Sequence, residues 1–160
     1  METKSEINTA TFIHLSSLLQ YCIPFGNYIF PILIWTSKKD TSEFVNYNGK
    51  QVLNFQLSLL LYSLILAMIA IPIFIFTIFS NIPFNAVVHD NDFVINNLNL
   101  ENITGIVVVG IMAVILFVSL KVVEFFLIIY AAIKTSNGEK YKYPLSIPFI
   151  KYEEKVPVSE

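Results

Sequence analysis

The sequence predicts an all-α integral membrane protein: a small helical bundle of three spans, the first broken by proline and glycine. Three observations carry that prediction. Only 14% of the 160 residues are charged and 55% are hydrophobic, whereas a typical soluble domain is about 25% charged. The run Gln51–Phe79 has a polar opening at Gln51, Asn54 and Gln56 and then no charge at all. At about 1.5 Å per residue it is long enough to cross a hydrocarbon core of roughly 30 Å. Finally, two polar connectors divide the chain into three apolar blocks, and only one of the connectors contains lysine.

Residues 1–8 read as a polar amino-terminal tail, and 9–150 as one transmembrane domain with helices at about 9–35, 51–79 and 103–133. Residues 151–160 form a carboxyl-terminal tail. The first block holds Pro24, Gly26, Asn27 and Pro31. Each proline lacks an N–H and frees a carbonyl one turn earlier, so a helix here kinks or breaks. One kinked crossing is the expected arrangement. The alternative is a re-entrant pair of half-helices, giving four helical segments, since neither half alone crosses a bilayer.

In the first connector, Asp40 to Glu43 has the form of a capping box, where a short interfacial helix can start, and Asn48-Gly49 reads as a turn before the central span. Pro72 is expected to bend that span. Ser80–Asn102 reads as an irregular, Asn-rich connector. The last span ends at a helix stop with Gly138 as the terminating residue.

Orientation follows from the lysines. Lys38, Lys39 and Lys50 lie in the first connector, and Lys134, Lys140, Lys142, Lys151 and Lys155 lie at and beyond the end of the last span. Cytoplasmic loops collect positive charge, which places loop 36–50 and the carboxyl terminus in the cytoplasm and loop 80–102 outside it. Multiple passes are expected. The opening METKSEINTA lacks a basic n-region, so no cleaved signal is expected.

Several functions are excluded. All ten basic residues are lysine and the net charge is -2, which is no basis for a nucleic-acid surface. The single cysteine, Cys22, allows no internal disulfide and reads as an inert buried thiol. No H-E-x-x-H, G-x-S-x-G or phosphate-cradling glycine loop is present, so neither an enzyme nor a cofactor is expected. His14 and His89 fall in opposite-sided segments without spaced partners, so no metal site is expected.

Candidate functional or interhelical polar residues are His14, Asn27, Asn54, Gln56, Lys121 and Glu124. Lys121 and Glu124 share a helical face at i, i+3 and read either as a relay inside the bundle or as a structural pair near an interface. His14 shares a stripe with Ser17 and Tyr21. It either titrates near neutrality or hydrogen-bonds to a neighbouring helix. Asn54, Ser58 and Tyr62 recur every four residues, as interhelical hydrogen-bond glue or as the lining of a path.

Three stretches resemble a known family: HLSSLLQYCIPFGNYIFPILIW, KKDTSEFVNYNGKQVLNFQLSLLLYS and AAIKTSNGEKYKYPLSIPFI. In their linked order they are similar to small bacterial membrane proteins distantly related to the Tic-twenty component of the chloroplast inner-envelope import machinery. The resemblance spans about Phe12 to Ile150. It departs from the family pattern at Asn46 and Gln51, where acids are common. The motif positions it singles out are Pro24, Gly26, Gly49, Lys50, Asn137, Gly138, Tyr143 and Pro144. It implies a protein of the bacterial cytoplasmic membrane and a non-enzymatic interaction or assembly module in membrane-protein translocation or envelope homeostasis, with the lipid bilayer and a protein partner or second copy as partners. The alternative expectation is an oligomeric small ion or solute conductor built on Lys121 and Glu124.

Overall fold

The computed structural model describes residues 2–81 and 100–151, with side chains placed over 2–76 and 107–151. These residues form four α-helices and, among them, no strand. Helix α1 is Lys4–Ser16, followed by a 3-10 turn at Ser17–Tyr21; α2 is Gly26–Lys38, α3 is Glu43–Asn81 and α4 is Leu100–Ser136. An extended segment then runs to Lys151. Most of the connector expected at Ser80–Asn102, its placement outside the cytoplasm and most of the tail 151–160 lie outside the described residues.

Helix α1 begins inside the stretch read as a tail. Thr3 and Glu6 form a capping box: the Glu6 amide donates to Thr3 Oγ1 at 3.3 Å and the Thr3 amide donates to Glu6 Oε2 at 2.8 Å. Two orphan amides are thereby satisfied, which fixes the first turn. Those Thr3 hydrogen bonds, with one from Ser42, lower the Glu6 pKa to about 2.

The single kinked crossing expected over 9–35 is not what forms. After Ser16 the chain tightens into the 3-10 turn, and α2 then returns along α1. Three residues make the reversal. Pro24 has no amide to continue a helix, and Phe25 takes the left-handed conformation at φ 61°. Gly26 packs so close to the Leu19 carbonyl that a Cβ would stand 2.7 Å from its oxygen. Helices α1 and α2 have 13 residues each, about 20 Å, too short for a core of roughly 30 Å.

Helix α3 starts eight residues before the expected Gln51. The Ser42 hydroxyl accepts from the Val45 amide at 3.3 Å and caps it, so the helix that begins at Glu43 continues straight into the apolar run. The turn expected at Asn48-Gly49 is helical, because both residues are used for packing. Asn48 is fully buried and donates from Nδ2 to the Phe44 carbonyl one turn back at 2.9 Å. Gly49 leaves room for the Trp35 ring, whose Cβ would lie 2.9 Å from a Cβ placed there, and Trp35 Nε1 donates to Asn46 Oδ1 at 3.0 Å. The helix runs on through Pro72.

Helix α4 stops at Ser136, where Gly138 adopts φ 81° and donates to the Thr135 carbonyl at 2.9 Å. Within α3 and α4, Glu43–Phe76 and Val107–Ser136 are long and apolar enough to cross a membrane. Two helices therefore meet that test where three crossings were expected.

The chain divides into two compact units. One comprises residues up to Leu61 together with those from Val122 onward. Its core is Ala10, Ile13, Phe44, Val45, Val52, Phe55, Ile128, Ala131 and Tyr143. The other, Tyr62–Lys121, has outward apolar side chains such as Met68, Ile69, Ile111 and Leu116. An apolar cleft of about 350 Å³ between Tyr62, Ile65, Leu66, Ile69, Leu116 and Leu120 lies within it.

Candidate functional site

The polar residues of the first unit pair inside it. Buried polar groups require partners, and His14, Tyr143 and Thr135 find theirs across elements. His14 of α1 has no exposed surface. Its Nε2 lies 3.1 Å from Asn48 Oδ1 of α3 and its Nδ1 lies 2.8 Å from the Tyr143 hydroxyl of the extended segment. Asn48 Oδ1 only accepts, since Nδ2 is committed to Phe44. The proton therefore sits on His14 Nε2, and Tyr143 donates to Nδ1. Thr135 of α4 completes the set, donating to Asn48 Oδ1 at 3.3 Å.

Burial lowers the His14 pKa to about 4, with the Asn48 bond opposing it, so the ring is neutral at physiological pH. Burial, and after it the charges of Tyr141 and Glu124, raise the Tyr143 phenol well above 10. Tyr143 also stacks on Phe55 at 4.1 Å and 7°. These groups hold one another in place.

A second layer lies toward the α1–α2 turn. Glu124 is almost fully buried and accepts from Gln20 Nε2 at 2.8 Å. Asn27, in the first turn of α2, donates to Gln56 Oε1 at 2.7 Å, and the Tyr28 hydroxyl donates to the Gln56 carbonyl at 3.2 Å. Gln56 Nε2 and Ser17 Oγ are buried without a hydrogen-bond partner among the described residues.

The third arrangement is a clasp. Asn54 Nδ2 donates to the Ile150 carbonyl at 3.0 Å, and the Ile150 amide donates to Asn54 Oδ1 at 2.7 Å. One turn on, the Ile147 amide donates to Ser58 Oγ at 2.8 Å. One turn back, Lys50 Nζ donates to the Lys151 carbonyl at 3.0 Å. The stripe read as interhelical glue or a path lining thus grips the main chain of the carboxyl-terminal segment. Tyr62, the next in the series, lines the apolar cleft instead.

The other singled-out residues are dispersed. Pro24 is exposed in the α1–α2 turn and Lys121 is half-buried in the second unit. Asn137 and Gly138 terminate α4. Pro144 opens a turn in which Leu145 takes φ 58°. Cys22, read as buried, is exposed. Among the described residues, no three His, Cys, Asp or Glu side chains stand where they could share a metal ion.

Sequence reasoning missed Asn48 and Thr135. Asn48 was masked by the glycine after it, and Thr135 by its place among the polar residues Lys134–Glu139 that read as the start of the tail. A buried histidine needs partners for both ring nitrogens, and that requirement was the available signal.

The family model described as the magnetosome magnetite crystal formation protein family, MamF/MmsF, matches residues 5–150. The chain belongs to that family. Neither a curated protein nor a solved structure matches it. Membership in MamF/MmsF replaces the Tic-twenty resemblance, because the three quoted stretches lie within the matched residues, and the translocation role inferred from the resemblance falls with it. The conductor reading is not supported either. In this MamF/MmsF chain Asn54 and Ser58 hold the carboxyl-terminal segment, and Gln20 covers Glu124. With its two long apolar helices, the chain is a helical membrane protein of the MamF/MmsF type.

Proposed function

We propose that this protein is a non-enzymatic, multi-pass membrane component that takes part in magnetite crystal formation as an assembly element of the mineralising membrane. The observation that carries this reading is the family match over residues 5–150, which takes in all four helices and the clasped segment. The character of the buried polar groups agrees with it. His14 is kept neutral, Gln20 engages Glu124, and Asn54 fixes a strand of backbone; such groups maintain a shape. The faces carrying Lys38, Lys39, Lys134, Lys140, Lys142 and Lys151 belong, on the lysine rule, to the cytoplasmic side. Protein partners would meet the molecule there.

The test is complementation. Expressed in a magnetite-forming bacterium deleted for its own family member, the chain should restore the size and number of crystals seen by electron microscopy. Crystals left at the deletion phenotype, with the chain present in the crystal-bearing membrane, would overturn the proposal.

A further inference from the structure

The α1–α2 hairpin has both of its ends at one level and an apolar turn at the other. The start of α1 and the end of α2 line a shared polar cavity of about 200 Å³, bounded by Thr3, Ser5, Glu6, Lys38, Thr41 and Ser42. Across from that end, Tyr21–Phe25 carries no charge, and Phe25 is 70% exposed. Phe12 on α1 and Ile29 and Leu33 on α2 are also exposed.

The register along α3 fixes where that turn lies. Lys38 accepts from the Ser42 amide, Trp35 reaches Asn46, and Asn27 reaches Gln56. The turn is therefore level with Gln56, and on α4 with Glu124, which Gln20 contacts. Beyond Gln56, the uncharged run Leu57–Phe76 is about 30 Å of helix, enough to cross a hydrocarbon core alone. Within the first unit, the turn is thus level with the start of that run at Leu57.

Most amides of the turn are satisfied within it. Those of Cys22 and Ile23 both donate to the Leu19 carbonyl and that of Gly26 to the Ile23 carbonyl, Pro24 has none, and the Phe25 amide has no backbone partner among the described residues. Unpaired amides are what exclude irregular backbone from hydrocarbon. The apolar surface is also continuous in kind with the exposed Leu60 and Leu61 of α3 and Phe125 and Phe126 of α4 in the same unit.

We propose that the α1–α2 hairpin is a monotopic wedge: Tyr21–Phe25 inserts among the acyl chains of one leaflet, on the side of the lysine-bearing connector, and does not cross. The amino terminus, the connector 39–42 and the clasped segment then share one face of the membrane. This does not depend on the role in crystal formation and stands or falls by itself.

The single cysteine is the natural probe, because Cys22 sits in the turn and is exposed. The full chain is labelled there with an environment-sensitive fluorophore and reconstituted into vesicles whose lipids carry bromine near either the headgroup end or the methyl end of the acyl chain. A wedge gives the larger loss of fluorescence with bromine near the headgroup end. No quenching by either lipid places the turn in water and overturns the proposal, as does stronger quenching from the methyl end. In a Cys22→Ala background, Glu2→Cys and Asp40→Cys should react with an impermeant maleimide from the same face of the vesicle. Reaction from opposite faces means that the hairpin crosses, and overturns it equally.

Discussion

His14 carries the pH dependence of the fold. Its pKa falls from an ordinary 6.5 to about 4 in the folded protein, so the unfolded chain binds the proton more readily. The stability this contributes is complete above about pH 6.5 and is lost as pH falls toward 4, where the folded state must also accept the proton. The difference amounts to up to about 3 kcal/mol. The thermal midpoint in detergent should drop across that window, and a His14→Gln variant should show a flatter profile there. Glu6 titrates lower still, so its contribution is lost only between about 4.5 and 2, and the two windows overlap only near pH 4.

Among the elements, α3 was the most legible in one respect and the least in another. Its uncharged run was readable because nothing but lipid accounts for such a length without a charge. Its start was not, because Asn48-Gly49 has the local chemistry of a turn, and only the ring of Trp35 and the imidazole of His14, distant in sequence, make it helix. Gly49 should therefore reverse the usual sign of a helix glycine. Ala in a helix interior is ordinarily favoured by about 0.5–1 kcal/mol, but Gly49→Ala should destabilise by ~1–3 kcal/mol by forcing Trp35 aside. Trp35 is the only tryptophan, so a red shift of its emission reports the displacement directly. No shift together with a raised melting point would contradict the packing. Gly110 meets nothing within 4 Å of a Cβ and should accept Ala without that penalty.

The clasp makes a separate demand. Asn54→Ala removes the partner of both polar groups of Ile150, and trypsin should then cut at Lys142 and Lys151 faster than in the parent, with α1–α4 intact. The stripe itself was visible from its four-residue spacing. What it holds was not, because a backbone ligand leaves no trace in the composition of the segment it belongs to.

For the whole molecule, the membrane class was legible from charge depletion and the long uncharged run, whereas the number of crossings was not. Pro24, Gly26 and Pro31 mark a break without saying whether the chain continues or turns back. The close approach of Gly26 to Leu19 makes it turn back. If α3 and α4 each cross once and the hairpin does not, as proposed above, both termini share a side. A fluorescent protein fused at either end should fluoresce in cells, and alkaline phosphatase at either end should stay inactive. Opposite behaviour at the two ends would require an odd number of crossings.

The clasp also bears on which changes the carboxyl-terminal segment can absorb. Asn54 and Ser58 touch amides and a carbonyl, groups that every residue except proline supplies in full, so spelling matters little at Ile147 and Ile150. Spacing matters much more. With Tyr143 anchored under His14 and Ile150 gripped by Asn54, one glycine inserted after Leu145 would pull the two anchorages out of step. It should loosen the segment to trypsin more than any single side-chain replacement between them.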